Sequence, residues 1–358
     1  MHVAIVGGGV VGTSLAAALT ERTEIDGVTL LERGSLGGGT TAASMAMVHR
    51  QQPAPQAYDQ RLRELSWSRY EPHLDELTHT GVGSLYVAET EAFAERLGEA
   101  APELCEHGVE TEYIEPAELP AFGIENGLGA IYTPGEGYFE PGELVEHFSA
   151  RAREGGARIE TGVEVTGISP GTEVEVETAE GRITADAIVN AAGPWAPEID
   201  RLVGLEHPLR HTRGPILSFD CPRNPEPFTL FERGLYCRSH SEGLHVGRLA
   251  TDFAAGERLG PNERLPVPES FHEEVRKFAG TVPAIREGEV IDEWVGIRTV
   301  TPDGRPLVGG TEVENYYVAT GMSGTGVTLT PAVADLLADR LLGNDRELLD
   351  PLSPARFA

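Results

Sequence analysis

The chain opens on a regular alternation of apolar and polar blocks. HVAIV at 2–6 is a short apolar run, GGGVVG at 7–12 a turn, TSLAAALTER at 13–22 a helix-favouring stretch, and VTLLE at 28–32 a second apolar run. Apolar runs of this length between turn signals read as buried strands and the longer stretch as a helix, giving a strand–helix–strand unit. From Gln56 to about Thr80, Leu62, Leu65, Tyr70, Leu74 and Leu77 recur at helical spacing, with Trp67 and Tyr70 as packing residues. A helix is predicted from Glu143 to Glu154, a hairpin over EVEVETAEGRITA at 173–185, and a buried strand in ADAIVNAAGPWA ending at Gly193. Between Glu206 and Glu287 short strands with proline- and glycine-rich turns predict a β-rich lobe. NYYVATGMSGTGVTLTPAVADLLADRLL at 315–342 repeats strand, glycine turn and helix, and the residues beyond Gly343 read as a short tail.

These elements predict an α/β chain with an α+β second lobe, in keeping with 358 residues at roughly 150 per domain. One discontinuous domain is expected over 1–78, 138–205 and 288–358, and a second over 79–137 and 206–287.

The first turn carries chemistry. Gly7, Gly9 and Gly12 stand in G-x-G-x-x-G spacing, and Glu32 closes the second strand twenty residues after Gly12. Strand, turn, helix and acid together are the fingerprint of a Rossmann-type dinucleotide site. Gly7 allows the tight turn, Gly9 lets backbone approach a pyrophosphate, and Gly12 brings helix and strand together. The helix N-terminus supplies amides and positive dipole to the phosphates, and Glu32 accepts hydrogen bonds from the adenosine ribose. The chain then departs from a second regular unit into Gly37–Gly39, Thr40, Thr41 and the small residues Ala42 to Ala46. Such a segment can lay amides and hydroxyls along a ribityl–pyrophosphate chain.

Charge narrows the partners. There are 28 basic and 57 acidic residues, a net charge of −29, and Lys277 is the single lysine. Nucleic acid is excluded as a partner, because phosphate contacts need clustered basic residues. So acidic a chain with almost no lysine suits a salt-rich cytoplasm. The apolar opening, Met1 to Leu19, lacks the basic residues of a signal peptide, and no run of about eighteen apolar residues suggests a membrane span; a cytoplasmic protein is expected. Cys105, Cys221 and Cys237 are far apart in the chain, so buried free thiols are expected and neither a disulfide scaffold nor a metal site.

Four blocks carry a resemblance: VAIVGGGVVGTSLA with LLERG, GSLGGGTTAAS, AIVNAAGPWA, and the pair WVGIRTVTPDGRPLVG and YVATGMSGTGV. Together they resemble the FAD-dependent amine and amino-acid oxidases, the family of glycine oxidase, D-amino-acid oxidase and monomeric sarcosine oxidase. The resemblance implies a Rossmann-type FAD-binding domain beside a β-rich substrate domain, and non-covalent FAD, since no cysteine falls in the block around Arg298. It implies that Gly7, Gly9, Gly12, Glu32 and Arg33 hold the ADP half of FAD, and that Thr40, Thr41, Met45, Ala46 and Met47 line its middle and the flavin. Val163 would contact the adenine through its backbone, and Ala192 and Gly193 would close over the cofactor. Gly321, Met322, Ser323, Gly324, Thr325, Gly326, Val327 and Thr328 would run beneath the flavin, the following helix aiming its dipole at it.

In the same way the resemblance makes Arg298 the substrate-carboxylate anchor, a role suited to a bidentate guanidinium. Tyr236 would face the substrate, Arg50 in MVHRQQ is an alternative anchor beside His49, and a protonated His245 would stand where a cation favours reaction with oxygen. The activity implied is oxidation of the C–N bond of a small amino acid or N-methylated amino acid to an imine by hydride transfer to flavin, with oxygen or another acceptor taking the electrons. The alternative is a flavin dehydrogenase of a 2-hydroxy acid or amino acid that passes electrons to a quinone or protein.

Overall fold

The computed structural model describes residues 1–221, 226–259, 265–344 and 346–357. Its first sheet has six strands, in the order Leu307–Gly310, Tyr316–Thr320, Ala187–Asn190, His2–Val6, Gly27–Glu32, Arg158–Thr161. All neighbours are parallel except the hairpin made by the first two. Strand His2–Val6 shows why this sheet is covered on both sides. Val3 and Ile5 enter a core with Leu15, Leu19, Leu144, Phe148 and Leu336, contributed by helices Val10–Thr20, Pro141–Glu154 and Gly326–Leu341. Ala4 and Val6, pointing the other way, pack with Val174 and Val176 of a three-stranded meander.

The second sheet has eight strands, in the order Glu289–Val300, Arg210–Asp220, Gly243–Arg248, Leu235–His240, Phe228–Phe231, Ser84–Val87, Ala130–Thr133, Glu112–Ile114. One face packs Leu217, Phe219, Leu235, Cys237 and Val246 against helix Glu269–Phe278. Alternation sends Ile216, Leu230 and Tyr236 to the opposite face, where they meet Met45 and Tyr138.

Strand Glu289–Val300 pairs along its length with Arg210–Asp220, as in Thr212↔Arg298 and Gly214↔Gly296, so the large sheet continues past residue 288. Two expectations are corrected. The helix from Ala57 stops at Tyr70, and Pro72 turns the next residues into a short 3-10 helix, Glu71–His73. The end of the chain is no loose tail: Glu347–Leu352 and Pro354–Phe357 form 3-10 turns, and Leu349 and Leu352 are buried in the main core. Cys221 and Cys237 are buried as expected, whereas Cys105 is exposed. No helix among the described residues is long and apolar enough to cross a membrane.

Candidate active site

A cavity of about 660 Å³ runs from the first turn to the open face of the large sheet. At its first end Gly7 has φ +112, and a Cβ there would lie 2.5 Å from the carbonyl oxygen of Ala191. A Cβ on Gly12 would overlap the carbonyl oxygen of Gly7, so this glycine is required by the contact of helix and strand. Gly9 differs. Its Cβ would meet only Thr41 Oγ1, at 3.3 Å, and would otherwise project into the cavity, so no backbone contact within the protein demands glycine here. Room is kept for something that approaches the backbone.

Two helix N-termini open on this space, through Gly9 and Val10 and through Gly326 and Val327. Neither helix has a side-chain cap on its N-cap residue or an acid in its first turn. Their dipoles are thus left for a negatively charged guest, although the Val10 amide already has a side-chain partner. Thr41 Oγ1 accepts from the Val10 amide at 3.2 Å. Glu32 accepts from the amides of Gly8 and Gly34, each at 2.7 Å, which fixes its carboxylate beside the cradle. The Arg33 guanidinium lies 4.4 Å over the Trp195 ring. These features suit a dinucleotide: amides for the diphosphate, a fixed carboxylate for a ribose, and Arg33 with Trp195 as a flat surface for a ring.

The other end is built on the large sheet. Register places Leu230, Tyr236, Gly247 and Ile216 in one cross-strand row. A Cβ on Gly247 would lie 2.6 Å from Tyr236 Cε2, and one on Gly214 would lie 2.6 Å from Arg298 Cζ. The two glycines therefore make the space in which these side chains lie across the sheet. Burial pushes the Tyr236 phenol above its ordinary value, and the neighbouring Arg298 charge opposes that shift. Arg298 Nη1 is buried without a hydrogen-bond partner, and the residue makes no ion pair among the described residues. A guanidinium donor left open beside apolar Ile216, Leu230 and Leu249 is the strongest orphan at this end.

Between the two ends, residues 37–46 are tied to the sheet. Thr40 donates to the Ile297 carbonyl at 2.9 Å, Trp294 Nε1 to the Ala43 carbonyl at 3.2 Å, and Arg238 Nη1 to the Met45 carbonyl at 3.0 Å. Arg238 is itself buried, stacked on Tyr138 and paired with Glu140. Ala46 and Ser323 both line the cavity with positive φ, +46 in each case, although neither is glycine. Strain of this kind is held by its surroundings: Ser323 by a bond from its amide to the Thr299 carbonyl, Ala46 by a bond from its amide to Ser44 Oγ.

The cavity wall thus contains Gly7, Gly9, Glu32, Arg33, Thr40, Thr41, Met45, Ala46, Met47, Val163, Ala192, Gly193, Gly321–Gly324, Gly326, Val327, Tyr236 and Arg298. Gly12, Thr325 and Thr328 stand behind it; Thr328 Oγ1 donates to the Met47 carbonyl at 3.3 Å. Two expected residues are elsewhere. Arg50 points away, its guanidinium 4.9 Å over Trp67, while Met47 and His49 line the cavity and Val48 and Arg50 do not. His245 is outside the cavity wall and stacks on His240 at 4.0 Å, with Trp294 edge-on at 5.3 Å. Burial, His240 and Arg238 lower its pKa to about 3, so it is a neutral ring and not the expected cation. Sequence reading also missed Gly214, Gly247 and Arg238, whose roles arise from contacts across the sheet. It likewise missed a grouping of His73, Glu76 and His147 away from the cavity, where Arg151 already contacts the His73 ring.

A family model described as FAD dependent oxidoreductase matches residues 2–340. The chain is 28% identical to dimethylglycine dehydrogenase of Mus musculus over 99% of its length, but spans only 44% of that protein. It is 27% identical to glycine oxidase of Geobacillus kaustophilus, covering 94% of this chain and 92% of that one. Among solved structures, L-proline dehydrogenase from P. horikoshii superposes with a TM-score of 0.89 at 24% identity, over 99% of this chain and 97% of that one. Glycine oxidase from Geobacillus kaustophilus gives 0.85 at 24%, over 99% and 98%.

Proposed function

The chain belongs to the family of FAD-dependent oxidoreductases, and from that premise we propose that it oxidises the C–N bond of a small amino acid or N-methylated amino acid to an imine. One observation carries the proposal: a single cavity joins the nucleotide cradle to a guanidinium donor that has no partner of its own. Gly7, Gly9, Glu32 and Arg33 would hold the nucleotide half of FAD, and the walls at Met45–Met47 and Gly321–Val327 its flavin. FAD, when bound, supplies the two-electron acceptor that takes the α-hydrogen as hydride.

The chain's own residues orient the substrate. Arg298 pairs with the carboxylate and fixes the α-carbon, which is the main demand when a cofactor performs the redox step. The Tyr236 phenol, kept protonated by burial, offers a second donor beside it. Among the described residues no carboxylate lines this end; the acids of the wall are Glu32, Glu164 and Glu198, all with the nucleotide-side residues. An ammonium here would be desolvated without a partner, so the amine enters neutral, and N-alkyl groups pack on Ile216, Leu230 and Leu249. The imine is then hydrolysed to a keto acid or aldehyde and an amine or ammonia.

A second reading of the acceptor is a quinone or protein in place of oxygen: the cation expected at His245 is not there, because the ring lies outside the cavity wall and burial keeps it neutral. We also propose a cytoplasm rich in salt as the working medium, from the net charge of −29. The decisive test is anaerobic bleaching of the purified yellow protein with glycine, sarcosine, dimethylglycine, proline and D- and L-amino acids, beside a panel of 2-hydroxy acids. Bleaching by none of the amines rejects the substrate class. Stoichiometric hydrogen peroxide in air rejects the second reading.

A further inference from the structure

One wall of the cavity is backed by a charge that the proposed reaction does not use. His49 lines the cavity beside Met47 and Val327. Behind it stands Arg63, whose Nη1 donates to the His49 carbonyl at 2.6 Å and lies 3.4 Å from His49 Nδ1. Arg63 is only 8% exposed, and among the described residues it forms no ion pair. Its nearby acids, Glu136 and Asp59, act on it through space. Glu136 is committed elsewhere, accepting from the amides of Arg50 and Gln51 and from Ser84 Oγ. Burial and Arg63 together bring His49 down to about 3, so the ring between the charge and the cavity stays neutral.

The helix that carries Arg63 fixes where the charge acts. Arg63, Ser66 and Tyr70 share one face of Ala57–Tyr70 at i, i+3 and i+7. Ser66 Oγ donates to the Thr328 carbonyl and Tyr70 OH to the Val327 carbonyl, in the first turn of helix Gly326–Leu341. These bonds fix helix Ala57–Tyr70 against the first turn of helix Gly326–Leu341, and one turn earlier Arg63 is held behind His49 by its own bond to the His49 carbonyl. A buried cation with no contacting anion is costly, and it persists in a fold when a negative group is bound within its reach.

We infer that Arg63 is a positioning charge which, acting across the His49 ring, holds positive potential on the flavin end of the cavity and stabilises negative charge there. This deepens the proposed reading and rests on FAD lying in the cavity. It assigns to helix Ala57–Tyr70 a part in tuning the cofactor's reduction potential, with no contact to substrate.

The FAD-loaded enzyme is titrated with sulfite, whose adduct places a negative charge on the flavin, and its midpoint potential is measured in parallel. Arg63→Met is expected to raise the sulfite Kd about tenfold or more, as for one unit charge a side chain away at the effective dielectric of a protein, and to lower the potential. Arg63→Lys keeps the charge and is expected to stay within about threefold of wild type. Equal sulfite affinity in wild type and Arg63→Met overturns the inference. So does an Arg63→Lys loss as large as that of Arg63→Met, because shape and not charge would then be the cause. Should Arg63→Met not retain FAD, Glu136→Gln decides: removing this opposing charge must tighten sulfite, and an unchanged or weaker affinity overturns the inference. Sulfite needs no amino-acid substrate, so a failed substrate panel leaves this result readable, whereas a wild-type chain that takes up no FAD refutes the reading beneath it.

Discussion

Replacing Arg298 by methionine keeps much of the volume of the side chain and removes its charge and its donors. In the unliganded enzyme little is lost, since Nη1 has no partner to leave behind. In the complex the substrate carboxylate would keep only the neutral Tyr236 phenol as a donor, among apolar Ile216, Leu230 and Leu249. Each charge-assisted hydrogen bond contributes about 1.5–3 kcal/mol, and stranding one member of a buried charge pair costs about 2–5 kcal/mol. A loss of about 3–4 kcal/mol is expected, or roughly 100- to 1000-fold in Kd. The assay is anaerobic flavin reduction against substrate concentration, which separates Kd from the limiting rate, with FAD content measured on the same sample. Arg298→Lys, a point charge without the fork, should fall between the two. An Arg298→Met enzyme that holds FAD and binds its carboxylate substrate within about threefold of wild type would refute the anchor.

The first turn separates two kinds of glycine. Gly9→Ala should leave the melting temperature unchanged and weaken FAD binding at least about tenfold, whereas Gly12→Ala, which strikes the Gly7 carbonyl, should lower stability by about 1–3 kcal/mol as well; thermal melts with flavin fluorescence distinguish them. Gly214→Ala should displace the Arg298 guanidinium and raise KM about tenfold while FAD stays bound, an effect read by the same reductive titration. Acid sensitivity follows from His245: its unfolded ring protonates near 6.5 and its folded ring only near 3. Between these values the unfolded state binds the extra proton, so stability is full above about 6.5 and is lost as pH falls toward 3. Melting temperatures of His245→Asn should fall less steeply across that window. Finally, with a net charge of −29, melting temperature should climb from low to molar KCl, and a flat response would reject a salt-rich working medium.

Much of the nucleotide half was legible because its information is local. The spacing of Gly7, Gly9, Gly12 and Glu32 encodes turn, contact and acid within one strand–helix–strand unit. The substrate half is written across strands. Gly214 and Gly247 look like ordinary strand glycines until register sets Arg298 and Tyr236 over them. Arg238 reveals itself through Met45, 193 positions away, and through Tyr138 and Glu140, also remote in sequence. The pairing of strand Glu289–Val300 with Arg210–Asp220 is hidden in the sequence, because its outer residues are exposed, it shows no clean alternation and its partner is remote along the chain. The end of the chain misled through Pro351 and Pro354, which read as breakers although Leu349 and Leu352 close the core. Arg50 and His49 are neighbours with opposite fates: His49 lines the cavity and Arg50 stacks on Trp67.

The stitching of residues 37–46 to the large sheet, through Ile297, Trp294 and Arg238, gives the two halves a shared segment through which they can be coupled. Whatever orders that segment at the nucleotide side also sets the strand that carries Arg298, one residue beyond Ile297. Reciprocity would then follow: a carboxylate resting on the sheet would tighten the binding of the nucleotide by the same free energy with which the nucleotide secures the carboxylate. Turnover in such a molecule proceeds on a prosthetic group that grips hardest when there is work to be done.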